Sequence, residues 1–304
     1  MSSTAAQPSP DGPSPKDWRS LAAGVGLVAT DLDGTLLRSD GSVSELTVAA
    51  LARARAAGLP VVFVTGRPPR WLPMVVEATG HSGVAIGANG AVLVDLATGE
   101  LLRTHAISAE ALDEVVTTLR AEVPGIGFAA EWIDELPAGA SDALRDTDFA
   151  HEHSFVPRYP VGTALRADDI REIAAGHQVV KLLARVTGSG HDADSFLEHA
   201  LAHVEHLVTV THSNSDDVLL EMGAAGVSKG STLAEHAASL GLGARDVAAM
   251  GDMPNDLPMI TWARVGLGVE GGHPRVLEAA DAVLPGPHDD GVGRFVDAVL
   301  DARS

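Results

Sequence analysis

Cysteine is absent from this 304-residue chain, and positive charge is scarce. Without cysteine the chain can form no disulfide bond and no thiolate nucleophile, which fits a reducing compartment. Lysine and arginine number 21 against 41 aspartates and glutamates, a formal net charge of −20. Nucleic acids and anionic membranes bind basic surfaces, so we expect neither as a partner. A small phosphorylated ligand is compatible with this charge, because one lysine and one metal ion can reverse the field locally.

Long hydrophobic runs are also missing. No stretch approaches the roughly 20 apolar residues of a membrane-spanning helix. The chain begins Met-Ser-Ser-Thr-Ala-Ala-Gln, without the basic and then apolar segments of a secretory signal. Residues 1–20 are rich in proline and serine and are predicted to be a flexible tail. We expect a cytoplasmic protein, a monomer or homodimer, with no membrane partner.

Apolar runs that alternate with helical patterns characterise both ends of the chain. Predicted strands such as Val25–Thr30 and Asp246–Met250 are each followed by a predicted helix. This alternation predicts an α/β fold with a Rossmann-like, doubly wound parallel sheet core. We expect that core over residues 21–91 and 218–304. Residues 92–217 have a different texture and are predicted to form an inserted α+β cap domain, over the strand ends where open α/β sheets bind ligands.

The most informative motif follows the first predicted strand and reads Thr30-Asp-Leu-Asp-Gly-Thr-Leu. Asp31 and Asp33 are two residues apart, so an extended backbone points both carboxylates the same way. Two like charges held together need a cation or a proton, and Gly34 permits a sharp turn. The pattern indicates a divalent metal and a phosphate. An Asx-type turn after the strand explains the same residues without either ligand.

Three further polar clusters lie at predicted strand ends or helix starts. Thr65-Gly66-Arg67 can offer a hydroxyl and backbone N–H groups to an anion, although an ordinary strand-to-helix turn looks the same. Lys229 begins a predicted helix, where the dipole disfavours a cation unless an anion is near; a solvated lysine is the alternative. Asp252 ends a strand as Asp31 does and suits Mg²⁺. Asp256 begins the next helix, a placement that the dipole alone also favours.

Together these clusters resemble the four motifs of the haloacid dehalogenase superfamily, namely Asp31-Leu-Asp33-Gly34-Thr35, Thr65-Gly66-Arg67, Lys229-Gly230 and Gly251-Asp252-x-x-Asn255-Asp256. A cap between the second and third motifs is similar to the Cof-like sugar-phosphatase branch, as are the segments Ala88-Asn-Gly-Ala and His288-Asp-Asp-Gly-Val. The resemblance spans residues 25–302. The chain departs from that branch at Glu270-Gly-Gly-His273, where Gly-Asn-Ala is usual.

The resemblance implies a Mg²⁺-dependent phosphatase that hydrolyses a small phosphorylated metabolite, such as a sugar phosphate, through a phosphoaspartyl intermediate. Asp31 is then the nucleophile, and Asp33 is the general acid and base. The implied phosphate-binding residues are Thr65, Gly66, Lys229 and Asn255. Asn255 is also expected to position Lys229. The implied Mg²⁺ ligands are Asp31, Asp33 (through its backbone carbonyl), Asp252 and Asp256.

Two other functions are open at this point. One is a phosphomutase with the same nucleophile, which would isomerise a sugar phosphate instead of releasing phosphate. The other is a non-catalytic protein that binds a phosphorylated metabolite. The pair Asp31 and Asp33 argues against mere binding, because binding needs no nucleophile beside an acid and base.

Some charged residues outside these roles have simpler interpretations. His199, His203 and His206 have a helical spacing that is compatible with a metal, but a solvated helix face is the favoured interpretation. Lys181 lies in an apolar run and is predicted to face solvent or the cleft. Arg67 is interpreted as a surface residue at a helix start.

Overall fold

The computed structural model describes residues 17–133, 148–158, 164–186 and 190–303. Its strands in chain order are β1 (Leu27–Thr30), β2 (Val61–Val64), β3 (Val84–Gly87), β4 (Val92–Asp95), β5 (Leu101–Thr104), β6 (Gly127–Trp132), β7 (Phe149–Glu152), β8 (Leu165–Ala167), β9 (Val179–Arg185), β10 (Val208–Thr211), β11 (Leu219–Ala224), β12 (Val247–Gly251), β13 (Val265–Val269) and β14 (Ala282–Leu284). Its α-helices are α1 (Glu45–Ala56), α2 (Leu72–Thr79), α3 (Ala109–Glu122), α4 (Ile170–Ala174), α5 (Ala193–Val204), α6 (Lys229–Ser239), α7 (Leu257–Trp262), α8 (Pro274–Ala279) and α9 (Gly291–Arg303).

The core sheet has the strand order β14-β13-β12-β1-β2-β3-β4-β5. Neighbours from β14 to β3 are parallel, and β4 and β5 add an antiparallel edge. Strands β1, β2 and β12 are buried along their length, as expected where helices cover both faces. Val28 packs in one apolar cluster with side chains of α1 and α9, whereas Leu27 and Ala29 pack with α6 and α7. The predicted doubly wound core is therefore confirmed.

The cap has its own sheet, in the order β10-β11-β9-β6-β7-β8. Strands β7 and β8 pair in parallel, and the other neighbours pair antiparallel. One face is covered by helices, because Leu182 and Leu220 share an apolar cluster with side chains of α3 and α5. Successive residues of a strand point to opposite faces. Lys181 and Glu221 therefore lie on the other face, which meets the core.

The points where the chain passes between the two sheets differ from the predicted boundaries. Strands β4 and β5 lie in the core sheet, although the sequence assigns residues from 92 onward to the cap. Val92 pairs with Gly87 across a tight turn, so the chain runs back along β3 before it leaves the core. Strand β11 lies in the cap sheet, between β9 and β10, although residues from 218 onward are predicted as core. The structure puts the two passages at residues 105–108 and 225–228.

The predicted tail also ends earlier than residue 20. Trp18–Leu21 form a 3₁₀ turn, and the Trp18 ring packs against Phe295 with centroids 6.3 Å apart. Residues 1–16 lie outside the described residues. None of the helices in the described ranges is long and apolar enough to cross a lipid bilayer.

Candidate active site

The sheet topology brings the first and fourth motifs together. Asp31 follows β1, and its backbone N–H donates to the Met250 carbonyl of the neighbouring strand β12 at 2.9 Å. Asp252 therefore leaves the sheet at the same edge as Asp31. Carboxylate oxygens of Asp31, Asp252 and Asp256 lie within 4.8 Å of one another. Three of the four predicted metal-binding residues thus converge.

Gly34 and Thr35 hold Asp252 against the first motif. Gly34 has φ +81°, and a Cβ at this position would lie 2.4 Å from Asp252 Oδ2. Only glycine fits so close to the carboxylate in this conformation. The Thr35 hydroxyl donates to Asp252 Oδ1 at 3.0 Å. Thr35 has no role in the sequence-based prediction, and its position two residues after Asp33 in the motif was the available signal.

Lys229 reaches the same carboxylates from the start of α6. Ser228 caps this helix, accepting a hydrogen bond from the Ser231 N–H at 3.1 Å. The Lys229 ammonium, 1% exposed, donates to Asp31 Oδ1 and to Asp256 Oδ1, each at 2.6 Å. These two carboxylates explain why a lysine tolerates the unfavourable end of the helix dipole. We call Asp31, Lys229, Asp252 and Asp256 the catalytic cluster.

Burial raises the pKa values of two carboxyls in the catalytic cluster. The pKa of Asp31 lies well above its usual range because burial disfavours the charged form; Lys229 opposes this effect and the neighbouring aspartates add to it. Burial and the charge of Asp256 raise the pKa of Asp252 to about 7. For Lys229, burial would lower the pKa, but Asp256 and Asp31 outweigh it and hold it above the usual value.

The charge of the catalytic cluster fits a divalent cation. Three carboxylates share one ammonium, which leaves two negative charges uncompensated when all are ionised. Hard carboxylate oxygens at such spacing are the ligands that Mg²⁺ prefers. Asp256 makes more hydrogen bonds within the protein than the other two, because its Oδ2 also accepts the backbone N–H groups of Asp252 and Met253 at 3.0 Å. Asp256 therefore stabilises the loop at residues 252–256 as well as holding Lys229.

Asp33 lies apart from the three converging carboxylates. Its side chain is 58% exposed and forms a two-pronged ion pair with Arg67, with Nε 2.8 Å from Oδ2. The interpretation of Arg67 as a plain surface residue is therefore wrong. A guanidinium fits a carboxylate in this fork geometry, so Arg67 orients Asp33. The sequence showed Arg67 in the second motif but not that the loop faces Asp33.

The second motif forms a tightly held loop. The Thr65 carbonyl accepts the Asn89 N–H at 3.1 Å, and the Thr65 hydroxyl accepts the Arg67 N–H at 3.0 Å. The Thr65 carbonyl and the Gly66 N–H belong to one trans peptide and point in opposite directions. The hydrogen bond to Asn89 therefore also fixes the direction of the Gly66 N–H. The Gly66 carbonyl accepts a hydrogen bond from Lys181 of the cap. Thr65 and Gly66 are thus held from both sides.

Asn255 contacts Asn89 rather than the ammonium it is expected to position. Asn255 Nδ2 donates to Asn89 Oδ1 at 3.0 Å, and Asn89 Nδ2 donates to Glu221 of the cap at 2.9 Å. Asn89 has φ +57°, a left-handed conformation that is rare outside glycine and common at functional sites. A Cβ on Gly66 would lie 3.0 Å from Asn89 Oδ1. This chain of amide groups therefore packs directly against the loop of Thr65 and Gly66.

A second buried group of charges joins cap and core, and we call it the interface cluster: Arg70, Glu131, Lys181 and Glu221. Lys181 lies 2.9 Å from Glu221 and 3.4 Å from Glu131, and Arg70 of the core binds Glu131 at 2.8 Å. Burial would lower the pKa of Lys181, but the two glutamates outweigh it and raise that pKa. Of the two predicted orientations of Lys181, toward solvent or toward the cleft, the structure shows the one toward the cleft. Single charges interrupting apolar strands were the signal for this cluster.

A cavity of about 230 Å³ lies between cap and core. Asn89, Lys181, Glu221, Lys229 and Asn255 line it together with apolar side chains of α5 and α7. The cavity therefore touches both the catalytic cluster and the interface cluster.

The segment that departs from the Cof-like pattern contacts the cap as well. The His273 N–H donates to the Asp252 carbonyl at 2.7 Å. Its Nδ1 accepts the Arg275 N–H at 3.2 Å, so Nε2 carries the proton and donates to Asp194 of the cap at 3.2 Å. His212 Nε2 lies 2.9 Å from the other oxygen of Asp194. His273 thus links the Asp252 loop to α5.

Comparisons with known proteins agree with the motifs and the fold. The sequence profile of the haloacid dehalogenase-like hydrolases matches residues 28–296. Pyridoxal phosphate phosphatase of Escherichia coli is 26% identical over 272 residues, 89% of this chain and 97% of that protein. A Bacillus subtilis phosphatase of 5-amino-6-(5-phospho-D-ribitylamino)uracil is 26% identical over 280 residues, 90% and 94% of the two chains.

Among solved structures, a subclass IIB sugar phosphatase of the same superfamily superposes with a TM-score of 0.69 at 18% identity, covering 90% of this chain and 98% of that one. At this level of identity the likeness concerns the fold alone. With the family profile matched over most of its length and its motifs gathered at one sheet edge, the chain belongs to the haloacid dehalogenase-like hydrolase family.

Proposed function

We propose that this hydrolase removes the phosphate group from a small phosphorylated metabolite by way of a phosphoaspartate on Asp31. The observation that carries the proposal is the Lys229 ammonium bridging Asp31 and Asp256 at 2.6 Å, beside Asp252. A nucleophilic carboxylate, a fixed cation and a ligand set for a divalent metal are the parts that phosphoryl transfer needs.

In the first half-reaction, Asp31 attacks the phosphorus and the bond to the leaving oxygen breaks. Lys229 opposes the effect of burial on the pKa of Asp31, and the charge of a bound metal ion would act in the same direction, so both favour the ionised nucleophile. Asp33 gives a proton to the leaving alkoxide. Arg67 sets the direction of the Asp33 carboxyl while leaving it open to solvent and substrate.

In the second half-reaction, Asp33 takes a proton from a water molecule that attacks the same phosphorus. The bond between phosphorus and Asp31 breaks, inorganic phosphate leaves, and both aspartates return to their starting state. Asp33 can be the acid in the first step and the base in the second, because the proton that it gives to the leaving group is replaced by the proton that it takes from water.

Phosphate binding is assigned to Thr65, Gly66, Lys229 and Asn255. The loop that carries Thr65 and Gly66 is held by Asn89 and Lys181, so the Gly66 N–H needs no rearrangement when the anion arrives. Asn255 is oriented by Asn89, and its Oδ1 is buried without a hydrogen-bond partner among the described residues. This atom is suited to accept from a protonated phosphate oxygen or from a substrate hydroxyl.

Mg²⁺ is the cofactor that the carboxylate set fits, with Asp31, Asp252, Asp256 and the Asp33 backbone carbonyl as its predicted ligands. When bound, it supplies the positive charge that offsets repulsion between Asp31 and the phosphate. A unit-charge contact at about 4 Å is worth roughly 4 kcal/mol at an effective dielectric of about 20.

The cleft favours a leaving group that is rich in hydroxyl groups, as in a sugar phosphate. Carboxylate and amide groups of Glu221 and Asn89 reach the cavity that Lys229 also lines, and such groups pair with hydroxyls. A cytoplasmic location and a monomeric or dimeric state are further predictions of the sequence.

The test is a screen of phosphorylated metabolites and p-nitrophenyl phosphate with Mg²⁺, reading free phosphate. We expect phosphate release that EDTA stops and added Mg²⁺ restores. Full activity in chelator would remove the metal from the proposal. An isomerised sugar phosphate without free phosphate would indicate a mutase, and binding without any turnover would contradict the hydrolytic function.

A further inference from the structure

The outer side of the cap brings together three side chains that the proposed reaction does not use. Glu122 is the last residue of α3, and His199 and His203 lie one turn apart on α5, which packs beside α3. One ligand atom of each, a carboxylate oxygen or an imidazole nitrogen, lies within 4.8 Å of the other two. The histidine spacing is visible in the sequence. The fold adds the carboxylate of Glu122 and leaves His206 outside this group.

The hydrogen bonds of His203 define its tautomer. Its Nδ1 lies 2.8 Å from the His199 carbonyl oxygen, which can only accept, so Nδ1 carries a proton. In a neutral ring Nε2 then holds a lone pair, and this atom faces Glu122 Oε2 at 3.5 Å. Metal-bound histidines have this arrangement, in which the second ring nitrogen donates to a backbone carbonyl.

Two features of the group are not satisfied by its own hydrogen bonds. The lone pair on His203 Nε2 and the Glu122 oxygen repel each other unless a proton or a metal ion lies between them. His199 Nε2 is buried and has no hydrogen-bond partner among the residues that the structure describes, which is costly for a polar atom. A proton on His203 relieves the first problem alone. One metal ion bound to all three side chains relieves both.

The other histidine group shows that proximity is not sufficient. In the group of Asp194, His212 and His273, the Arg275 N–H donates to His273 Nδ1, which leaves the proton on Nε2. That nitrogen already donates to Asp194 and has no lone pair for a metal. His273 therefore cannot be a ligand in the Asp194 group, although His212 Nδ1 there is also buried without a hydrogen-bond partner among the described residues. In the group at Glu122, the lone pair of His203 Nε2 remains available to a metal ion.

We propose that Glu122, His199 and His203 bind a Zn²⁺ ion that ties the end of α3 to α5. Two imidazoles and one carboxylate are ligands suited to Zn²⁺, with a fourth position for water. The side chains of Glu122 and His203 are 46% and 32% exposed, so an ion can enter from solvent. The helices α3 and α5 cover the face of the cap sheet opposite to Lys181 and Glu221. Leucine side chains of α5 also line the cavity between cap and core, but Glu122, His199 and His203 are not among its lining residues. The ion is therefore structural and does not touch the substrate.

The test is a calorimetric titration of the full chain with Zn²⁺ in saturating Mg²⁺, which occupies the catalytic carboxylates. We expect one Zn²⁺ per chain in the wild type, with affinity weakened about 100-fold or more in His199→Ala and in His203→Ala, since each removes one of three ligands. His206→Ala is the matched control, because it removes a histidine of the same row that lies outside the group, and it should bind as the wild type does. Zn²⁺ should raise the thermal midpoint by several degrees in wild type and control alone.

Three results would overturn the proposal: a wild type that binds no Zn²⁺, ligand variants that are folded by circular dichroism and bind as tightly as the wild type, or binding lost in Asp252→Asn and retained in His203→Ala. The last result would assign the ion to the catalytic carboxylates. These readouts do not involve turnover, so the proposal is judged separately from the phosphatase function.

Discussion

Two buried charge clusters lie close together where cap and core meet, and they differ in their balance. The catalytic cluster has three carboxylates and one ammonium. The interface cluster has two carboxylates, one ammonium and one guanidinium. The balanced cluster favours charged groups. Burial opposes ionisation of Glu221, but Lys181 and the hydrogen bonds from Ser213 and Asn89 together outweigh it and hold the pKa of Glu221 below its usual value.

The unbalanced cluster behaves in the opposite way. Burial and mutual repulsion raise the pKa values of Asp31 and Asp252, so the cluster takes up either protons or a cation. We infer that the balance decides the role. A balanced buried cluster fixes geometry, while an unbalanced one creates a site for added charge.

The largest effect is expected from Asp31→Asn, which removes the proposed nucleophile from the unbalanced cluster. Turnover should fall by a factor on the order of 10⁴ or more, because no covalent intermediate can form. The fold should persist, since one negative charge leaves a crowded set and Lys229 keeps Asp256 as a partner at 2.6 Å. Phosphate release and the thermal midpoint check the two statements. Retained turnover would contradict the nucleophile assignment.

The next effect is expected from Lys181→Met, which unbalances the interface cluster. Removing one partner of a buried ion pair costs about 3–5 kcal/mol of stability. The Gly66 carbonyl also loses its cap donor, so inhibition by inorganic phosphate should weaken about tenfold and kcat should fall. We expect the double variant Lys181→Met with Glu221→Gln to recover more of the lost stability than of the lost phosphate affinity.

The control for Lys181 is Arg120→Met, which breaks a pair with the buried carboxylate of Glu152 elsewhere in the cap. It should lower stability and leave the inhibition constant for phosphate unchanged. Equal phosphate inhibition in wild type and Lys181→Met would show that the cap does not position the loop.

A pH effect is expected from the raised pKa of Asp252. Mg²⁺ needs the ionised carboxylate, so its affinity should fall about tenfold per pH unit below the pKa of about 7. Without metal, the native state holds this proton over a range where the unfolded chain, with a pKa near 3.8, has lost it. Metal-free stability should therefore decrease as pH rises from about 4 to about 7. Calorimetric Mg²⁺ titrations and thermal unfolding at several pH values measure both trends, and flat profiles would contradict them.

The smallest effect is expected from Arg67→Met, which frees Asp33. A general acid matters most when the leaving oxygen is basic. Hydrolysis of a sugar phosphate should slow about tenfold, and hydrolysis of p-nitrophenyl phosphate should change about twofold or less, because nitrophenolate leaves without a proton. Equal slowing of both substrates would mean that Arg67 acts on phosphate binding instead.

The motif residues were predictable because each lies at a strand end or a helix start. The sheet topology then brings these positions to one edge of the core sheet. The hydroxyl and carboxylate positions of Asp31, Thr65 and Asp252 follow from parallel strands ending at one edge of the sheet. Residues 92–95 (β4) and 219–224 (β11) fall on the other side of the predicted domain boundaries, because a local sequence pattern does not identify the partner of a strand.

Side-chain partners across the two sheets were beyond the reach of sequence reasoning. Arg67 and Asp33 are 34 residues apart, and Lys181 and Gly66 are 115 apart. No local rule links such positions, since their contact depends on how the cap rests on the core.

The sequence by itself determined the α/β class, the inserted cap and the order of the chemical groups, because periodicity and residue chemistry are local properties. Tertiary structure decided which charges are paired and which remain in excess. That distinction depends on burial and on distances of a few ångströms between segments far apart in the chain, where the loss of water makes each unpaired charge costly.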